Sequence, residues 1–116
     1  MICDKNSYIG DFSTIQAYND CIVQIGQNCQ ISHNVRIYTC TDVADKDFSL
    51  TNRLTKTGDV IIEDYVWIGA NVFINPGILI GRNSIIGANS VVTKNVLPNS
   101  IVGGVPAKLL KYKNIE

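Results

Sequence analysis

The stretch IEDYVWIGANVFINPGILIGRNSIIGANSVV, residues 62–92, decides the fold. Ile62, Ile68, Ile74, Ile80, Ile86 and Val92 recur in it at a spacing of six. The position after these residues is often small, as at Gly69, Gly81 and Gly87, and a second column of Val66, Val72, Ile78, Ser84, Ser90 and Val96 is compact or β-branched. Helices repeat at about 3.6 residues and strands at 2, so neither accounts for a period of six. A chain that turns a corner every six residues does, and hexapeptide repeats of this kind build a parallel β-helix. Each coil of about eighteen residues then points three apolar side chains inward. Ile62 is expected to stack on Ile80, Ile68 on Ile86, and Ile74 on Val92.

Outward from this block, the repeat continues in both directions. Ile9 and Ile15 begin it, and after a change of register Ile25, Ile31 and Ile37 resume it. Coils are therefore expected over 9–98 within a single domain of 1–116, the usual reading of a chain this short. Residues 43–58 are polar, contain Asp45, Lys46, Asp47, Arg53 and Lys56, and show no phase of six. They read as a loop extruded from one corner, and long loops in compact repeats are usually functional or disordered. Leu97 to Ser100 ends the coils. Pro106 suits the first position of a helix and the following lysines suit its C-terminal end, so a short helix is expected over 105–113. Whether Met1 to Tyr8 adds a strand is left open.

Composition removes several classes of function. Ten basic residues balance ten acidic ones, so there is no nucleic-acid surface of the kind a basic stripe announces. No apolar run is long enough for a membrane span, and no secretory signal pattern opens the chain. Cys3, Cys21, Cys29 and Cys40 show no C-x-x-C spacing and the chain has one histidine, so no metal site is expected. Reduced thiols in a cytoplasmic protein, with Cys29 in an inward slot, are the simplest reading.

Four runs together resemble a known family: Val66-Trp67-Ile68-Gly69-Ala70, Ile74-Asn75-Pro76-Gly77-Ile78, Ile86-Gly87-Ala88-Asn89-Ser90-Val91-Val92-Thr93-Lys94, and Val102-Gly103-Gly104-Val105-Pro106-Ala107-Lys108. They are similar to the left-handed β-helix acyltransferases, within them to the maltose/galactoside and polysaccharide O-acetyltransferase branch. The resemblance implies an all-β fold, a left-handed parallel β-helix. It also implies a homotrimer, and acetyl-CoA as acyl donor in the groove between neighbouring subunits. It places Gly69, Ala70, Gly87 and Ala88 along the pantetheine arm, Trp67 near the thioester, Thr93 and Lys94 at the pyrophosphate, and Lys108 and Lys111 within reach of the 3′-phosphate. Ammonium groups suit phosphates as point charges. The glycines have a second reading as residues of tight corners, and terminal lysines as solvated ones.

Transfer to a hydroxyl requires a base, for which histidine is the usual choice. The family pattern closes the relevant run with histidine, whereas this chain reads Ile37-Tyr38-Thr39-Cys40-Thr41-Asp42. Asp42 stands at the expected place, or Thr41 if the alignment shifts by one. Asp42 as base, His33 acting from another face, and an amine acceptor that needs less help are three open readings. An ordinary carboxylate, with a pKa near 3.9, is poorly matched to a sugar hydroxyl. Cys40 as nucleophile has nothing in the sequence to lower its pKa. Tyr38 and the loop are placed at the acceptor. The expected function is acetyl-CoA-dependent acetylation of a small-molecule sugar or nucleotide-sugar acceptor, in polysaccharide biosynthesis. The alternative is a non-catalytic trimeric scaffold or a glycan- or CoA-binding module.

Overall fold

The computed structural model describes residues 1–49 and 54–115. Among these residues the chain is all β, wound into a three-sided prism. The first coil supplies β1 (Ile2–Cys3), β2 (Tyr8–Ile9) and β3 (Thr14–Gln16), and the second supplies β4 (Val23–Ile25), β5 (Gln30–Ile31) and β6 (Arg36–Tyr38). A ribbon of β7 (Cys40–Asp42) and β8 (Thr55–Thr57) leaves the prism here. Winding resumes with β9 (Val60–Ile62), β10 (Trp67–Ile68) and β11 (Phe73–Ile74), then β12 (Leu79–Ile80), β13 (Ile85–Ile86) and β14 (Val91–Val92), and closes with β15 (Ser100–Gly103) and β16 (Lys108–Tyr112). Each coil gives one short strand to each wall. The first wall is β1-β4-β9-β12, the second β2-β5-β10-β13-β15-β16, and the third β3-β6-β11-β14.

The apolar column fixes the register. Ile80 pairs with Ile62 and Ile62 with Ile25; Ile86 pairs with Ile68, Ile31 and Ile9 in succession; Val92 pairs with Ile74, Ile37 and Ile15. The inward isoleucines of the second, third and fourth coils are buried to within 1 %. Because no coil covers its own interior, each owes that burial to its neighbours. The corners need a residue that tolerates the left-handed backbone. Asn28, Asn34, Asn71, Asn83, Asn89 and Asn99 supply it with φ between 56° and 63°, and Gly77 with φ 79°. At one corner their amides form a ladder, Asn34 donating to Asn71 at 2.8 Å and Asn71 to Asn89 at 3.1 Å.

Two expectations change, and one open question closes. The helix expected over 105–113 is absent: the chain reverses over Gly104 to Ala107, and Lys108–Tyr112 pairs antiparallel with β15. β15 would otherwise end the second wall with unpaired backbone groups, and satisfying them outweighs the modest helix preference of five residues. Residues 43–58 are not wholly a loop, since Thr55–Thr57 pairs antiparallel with Cys40–Asp42. Of the residues singled out there, Arg53 lies outside the described residues. The N-terminal residues do add a strand, with Cys3 in register with Ile25.

Candidate functional site

The corner between the second and third walls gathers four of the expected donor residues. Ser32, Gly69 and Gly87 follow the paired Ile31, Ile68 and Ile86, and the next residue in each coil is His33, Ala70 or Ala88. His33 therefore stands one coil from Ala70 on the same edge. The two glycines differ. A Cβ on Gly69 would lie 2.6 Å from the Ala88 nitrogen and 2.9 Å from its Cα, so close stacking of coils alone requires glycine there. A Cβ on Gly87 would meet nothing nearer than 3.5 Å. The packing of this chain leaves room at Gly87 that it does not use.

The second wall beside this corner carries a groove of about 420 Å³ lined by Tyr8, Gln30, Ile31, Ser32, His33 and Trp67. Tyr8, Gln30 and Trp67 are cross-strand neighbours pointing outward, and Trp67 is 54 % exposed. The His33 Nδ1 accepts the backbone N–H of Asp11 at 3.0 Å. A neutral imidazole with its Nδ1 lone pair engaged carries its proton on Nε2. The ring therefore offers the groove a donor.

Thr93 and Lys94 turn the corner from the third wall back to the first. They share with Lys108 a cleft of about 390 Å³, walled by Val92, Val96, Val102, Leu109 and Tyr112. Lys111 lies on β16 opposite Ile101 and outside that cleft. Thr93 and Lys94 also line a second cleft, of about 320 Å³, whose far side is formed by Thr41 and Lys56 of the ribbon.

Tyr38 ends β6, with its ring 5.2 Å from that of Phe73 at an interplanar angle of 47°. The next residue, Thr39, anchors the ribbon. It is fully buried, and its hydroxyl donates to the Gln16 carbonyl at 2.9 Å and accepts the Tyr18 N–H at 2.7 Å. Asp42 is exposed on β7, opposite Thr55. Asp42 and His33 thus occupy different corners, and one chain does not bring them together. Tyr8 and Gln30 are not among the expected site residues, and Lys56 is expected only as part of the acceptor-side loop. Tyr8 and Gln30 share a strand position with Trp67, which the repeat spacing reveals. The polar run around Lys56 gives no such cue.

Cys29 is fully buried and donates to the Glu63 carbonyl at 3.1 Å. Burial pushes its thiol pKa up. Among the described residues all four cysteines are free and no group of three or more His, Cys, Asp or Glu side chains converges as a metal site.

Comparison with known proteins adds the family. Residues 59–94 match the family described as bacterial transferase hexapeptide (six repeats). Galactoside O-acetyltransferase of Escherichia coli K12 is 38 % identical over 101 residues, 83 % of this chain and 47 % of that protein. A hexapeptide-repeat-containing acetyltransferase from Vibrio cholerae, solved with acetyl coenzyme A, superposes with a TM-score of 0.71 at 36 % identity, over 93 % of this chain and 61 % of its own. A variant of AntD, an N-acyltransferase from Bacillus cereus solved with dTDP-4-amino-4,6-dideoxyglucose and coenzyme A, superposes with a TM-score of 0.84 at 25 % identity, over 94 % of this chain and 61 % of its own. The chain spans less than half the length of the curated relatives it matches. By its period, its three-walled prism and these relatives, the chain belongs to the hexapeptide-repeat acetyltransferase family.

Proposed function

We propose that the chain forms the donor-binding part of an acetyl-CoA-dependent acetyltransferase acting on a sugar or nucleotide-linked sugar. The carrying observation is Gly87. It is a glycine that neither a positive φ nor a close protein contact demands, on the same edge as Ala70 and Ala88. A backbone left bare where the protein itself has no use for the space suits an extended ligand lying against it. Lys94 and Lys108 in the end cleft provide the positive charge that donor phosphates need.

Left-handed coiling and a homotrimer complete the reading, with the donor between neighbouring protomers. The outward Trp67, Tyr8 and Leu79 favour association, since exposed apolar surface on a small domain seeks a partner. In such an assembly Asp42 of one ribbon and His33 of another protomer have a route to one groove, which a single chain denies them. The free thiols fit a reducing, cytoplasmic setting.

In the proposed reaction the acceptor heteroatom attacks the thioester carbonyl carbon, the carbon–sulfur bond breaks, and the sulfur leaves with the proton the acceptor gives up. Negative charge gathers on the carbonyl oxygen, and a donor aimed at it is worth on the order of 10²–10³ in rate. The Nε2–H of His33 suits that role better than it suits a base, because the Asp11 amide already occupies the free lone pair of the ring. This favours an amine acceptor, which attacks in its neutral form and loses its proton afterwards. Asp42 is the candidate to take that proton and pass it to the departing sulfur.

Calorimetric titration with acetyl-CoA tests the reading, followed by a free-thiol assay over sugars and amino sugars. Binding in the micromolar to millimolar range is expected, with turnover greater on amino sugars. Absence of binding at millimolar donor leaves the scaffold reading in its place.

A further inference from the structure

The cleft beneath the ribbon has a composition that the donor residues alone do not explain. β7 and β8 pair so that Thr41 faces Lys56 directly. Directly opposed residues of an antiparallel pair project from the same face, and strand alternation sends Asp42 and Thr55 to the other. That face looks onto two successive turns of the prism. Asn75 comes from the third coil and Thr93, Lys94 and Asn95 from the fourth, and among the described residues no acidic side chain lines the space.

The ribbon is held at its root. Gly58 donates to the Thr39 carbonyl at 3.0 Å, and a Cβ on Gly58 would lie 2.7 Å from the Cα of Gly77. Thr39 is pinned on its other side by Gln16 and Tyr18. Lys56, one residue from the end of β8, is thus carried on a fixed stem. Two ammonium groups on facing walls of one small cleft repel each other unless an anion lies between them. Its volume of about 320 Å³ equals roughly ten waters of bulk liquid, room for a phosphate or diphosphate. Since the whole chain has no net charge, this positive character is local rather than part of a general basic surface.

We propose that this cleft is a phosphate-binding subsite in which Lys56 and Lys94 supply the charge and Thr41 and Thr93 supply hydroxyl donors. Its occupant is a phosphate or diphosphate group, carried either by the acyl donor or by a nucleotide-linked acceptor. Both arms rest on the function proposed above, although a nucleotide diphosphate fills the cleft equally well without it.

The test is calorimetric titration of the full chain, Lys56→Ala, Lys56→Arg and Lys94→Ala with four probes: coenzyme A, dephospho-coenzyme A, UDP and phosphate-free pantetheine. Lys56 is exposed, and matching thermal melts confirm that each variant folds. Lys56→Ala and Lys94→Ala each weaken at least one phosphate probe about tenfold. Lys56→Arg retains most of the affinity, and pantetheine is unaffected. A loss with coenzyme A but not with dephospho-coenzyme A assigns the cleft to the 3′-phosphate, and a loss with both assigns it to the pyrophosphate. A loss confined to UDP assigns it to a nucleotide ligand, and does so even if coenzyme A never binds. If the phosphate probes bind Lys56→Ala as they bind the unaltered chain, the subsite is overturned while the donor reading stands. If none of the three binds the unaltered chain at millimolar concentration, it is likewise overturned.

Discussion

Ile74, in the third coil, has a rung on either side and no exposed surface. Ile15, at the same point of the first coil, pairs with Ile37 on one side alone and stays partly exposed. The two isoleucines are chemically identical and share a wall. What separates them is the number of neighbours, so in this architecture core strength belongs to the stack rather than to the residue. Gly69 and Gly87 repeat the lesson in reverse. They share one column, yet the rung beyond Gly69 presses against it and the rung beyond Gly87 does not.

The sharpest way to break the comparison is to truncate both isoleucines. Ile74→Ala removes a fully buried side chain and leaves a cavity, which costs on the order of 2–5 kcal/mol, whereas Ile15→Ala costs less than about 2 kcal/mol. Denaturant midpoints for the pair measure the difference, and equal losses would show that burial in the stack does not set the energy. The glycines come next. Gly69→Ala drives a methyl into the Ala88 backbone and costs about 1–3 kcal/mol. Gly87→Ala changes stability by no more than about 0.5 kcal/mol yet weakens acetyl-CoA binding. A melt and a titration on each variant separate the two, and a Gly87→Ala protein that binds acetyl-CoA normally would remove that glycine from the donor path.

The smallest effect concerns Cys29. Its pKa is raised in the folded chain by burial, so as pH climbs through the ordinary thiol range the unfolded chain releases this proton while the folded chain keeps it. Folding stability contributed by the group therefore falls with rising pH, and is fully present below the unfolded pKa. A disulfide reagent at mildly alkaline pH is expected to modify the exposed Cys3 promptly and Cys29 only on unfolding. Prompt modification of both would place the second coil outside the tightly packed stack.

The inward column was legible because one residue type at one spacing does one job, and Ile62 through Val92 announce the prism without help. A second signal stood beside it. Asn71, Asn83 and Asn89 each fall three places after an inward isoleucine, where the backbone turns left-handed. Residues whose structure depends on a partner elsewhere were harder to read. The run K-L-L-K-Y carries lysines and leucines that suit a helix, and only the open edge of β15 makes it a strand. Thr55–Thr57 is too short and polar to declare its pairing with β7. The bond from Asp11 to His33 spans 22 positions and depends on a first coil longer than the one that separates Ile68 from Ile86. The same holds for the candidate site: the distribution of the expected residues over two corners, a wall groove and an end cleft depends on how the coils align.

The reversal over Gly104 to Ala107 governs more than the last strand. Along its length the second wall offers parallel backbone edges on which a further rung could be laid, by this chain or by another copy placed end to end. β16 runs the opposite way, so a rung of the usual direction laid beside it pairs antiparallel and does not continue the parallel ladder of this wall. The exposed Lys108 and Lys111 on that strand add like-charge repulsion against any chain that tries to lengthen the column. On this wall the parallel repeat thus ends in a strand that opposes its extension.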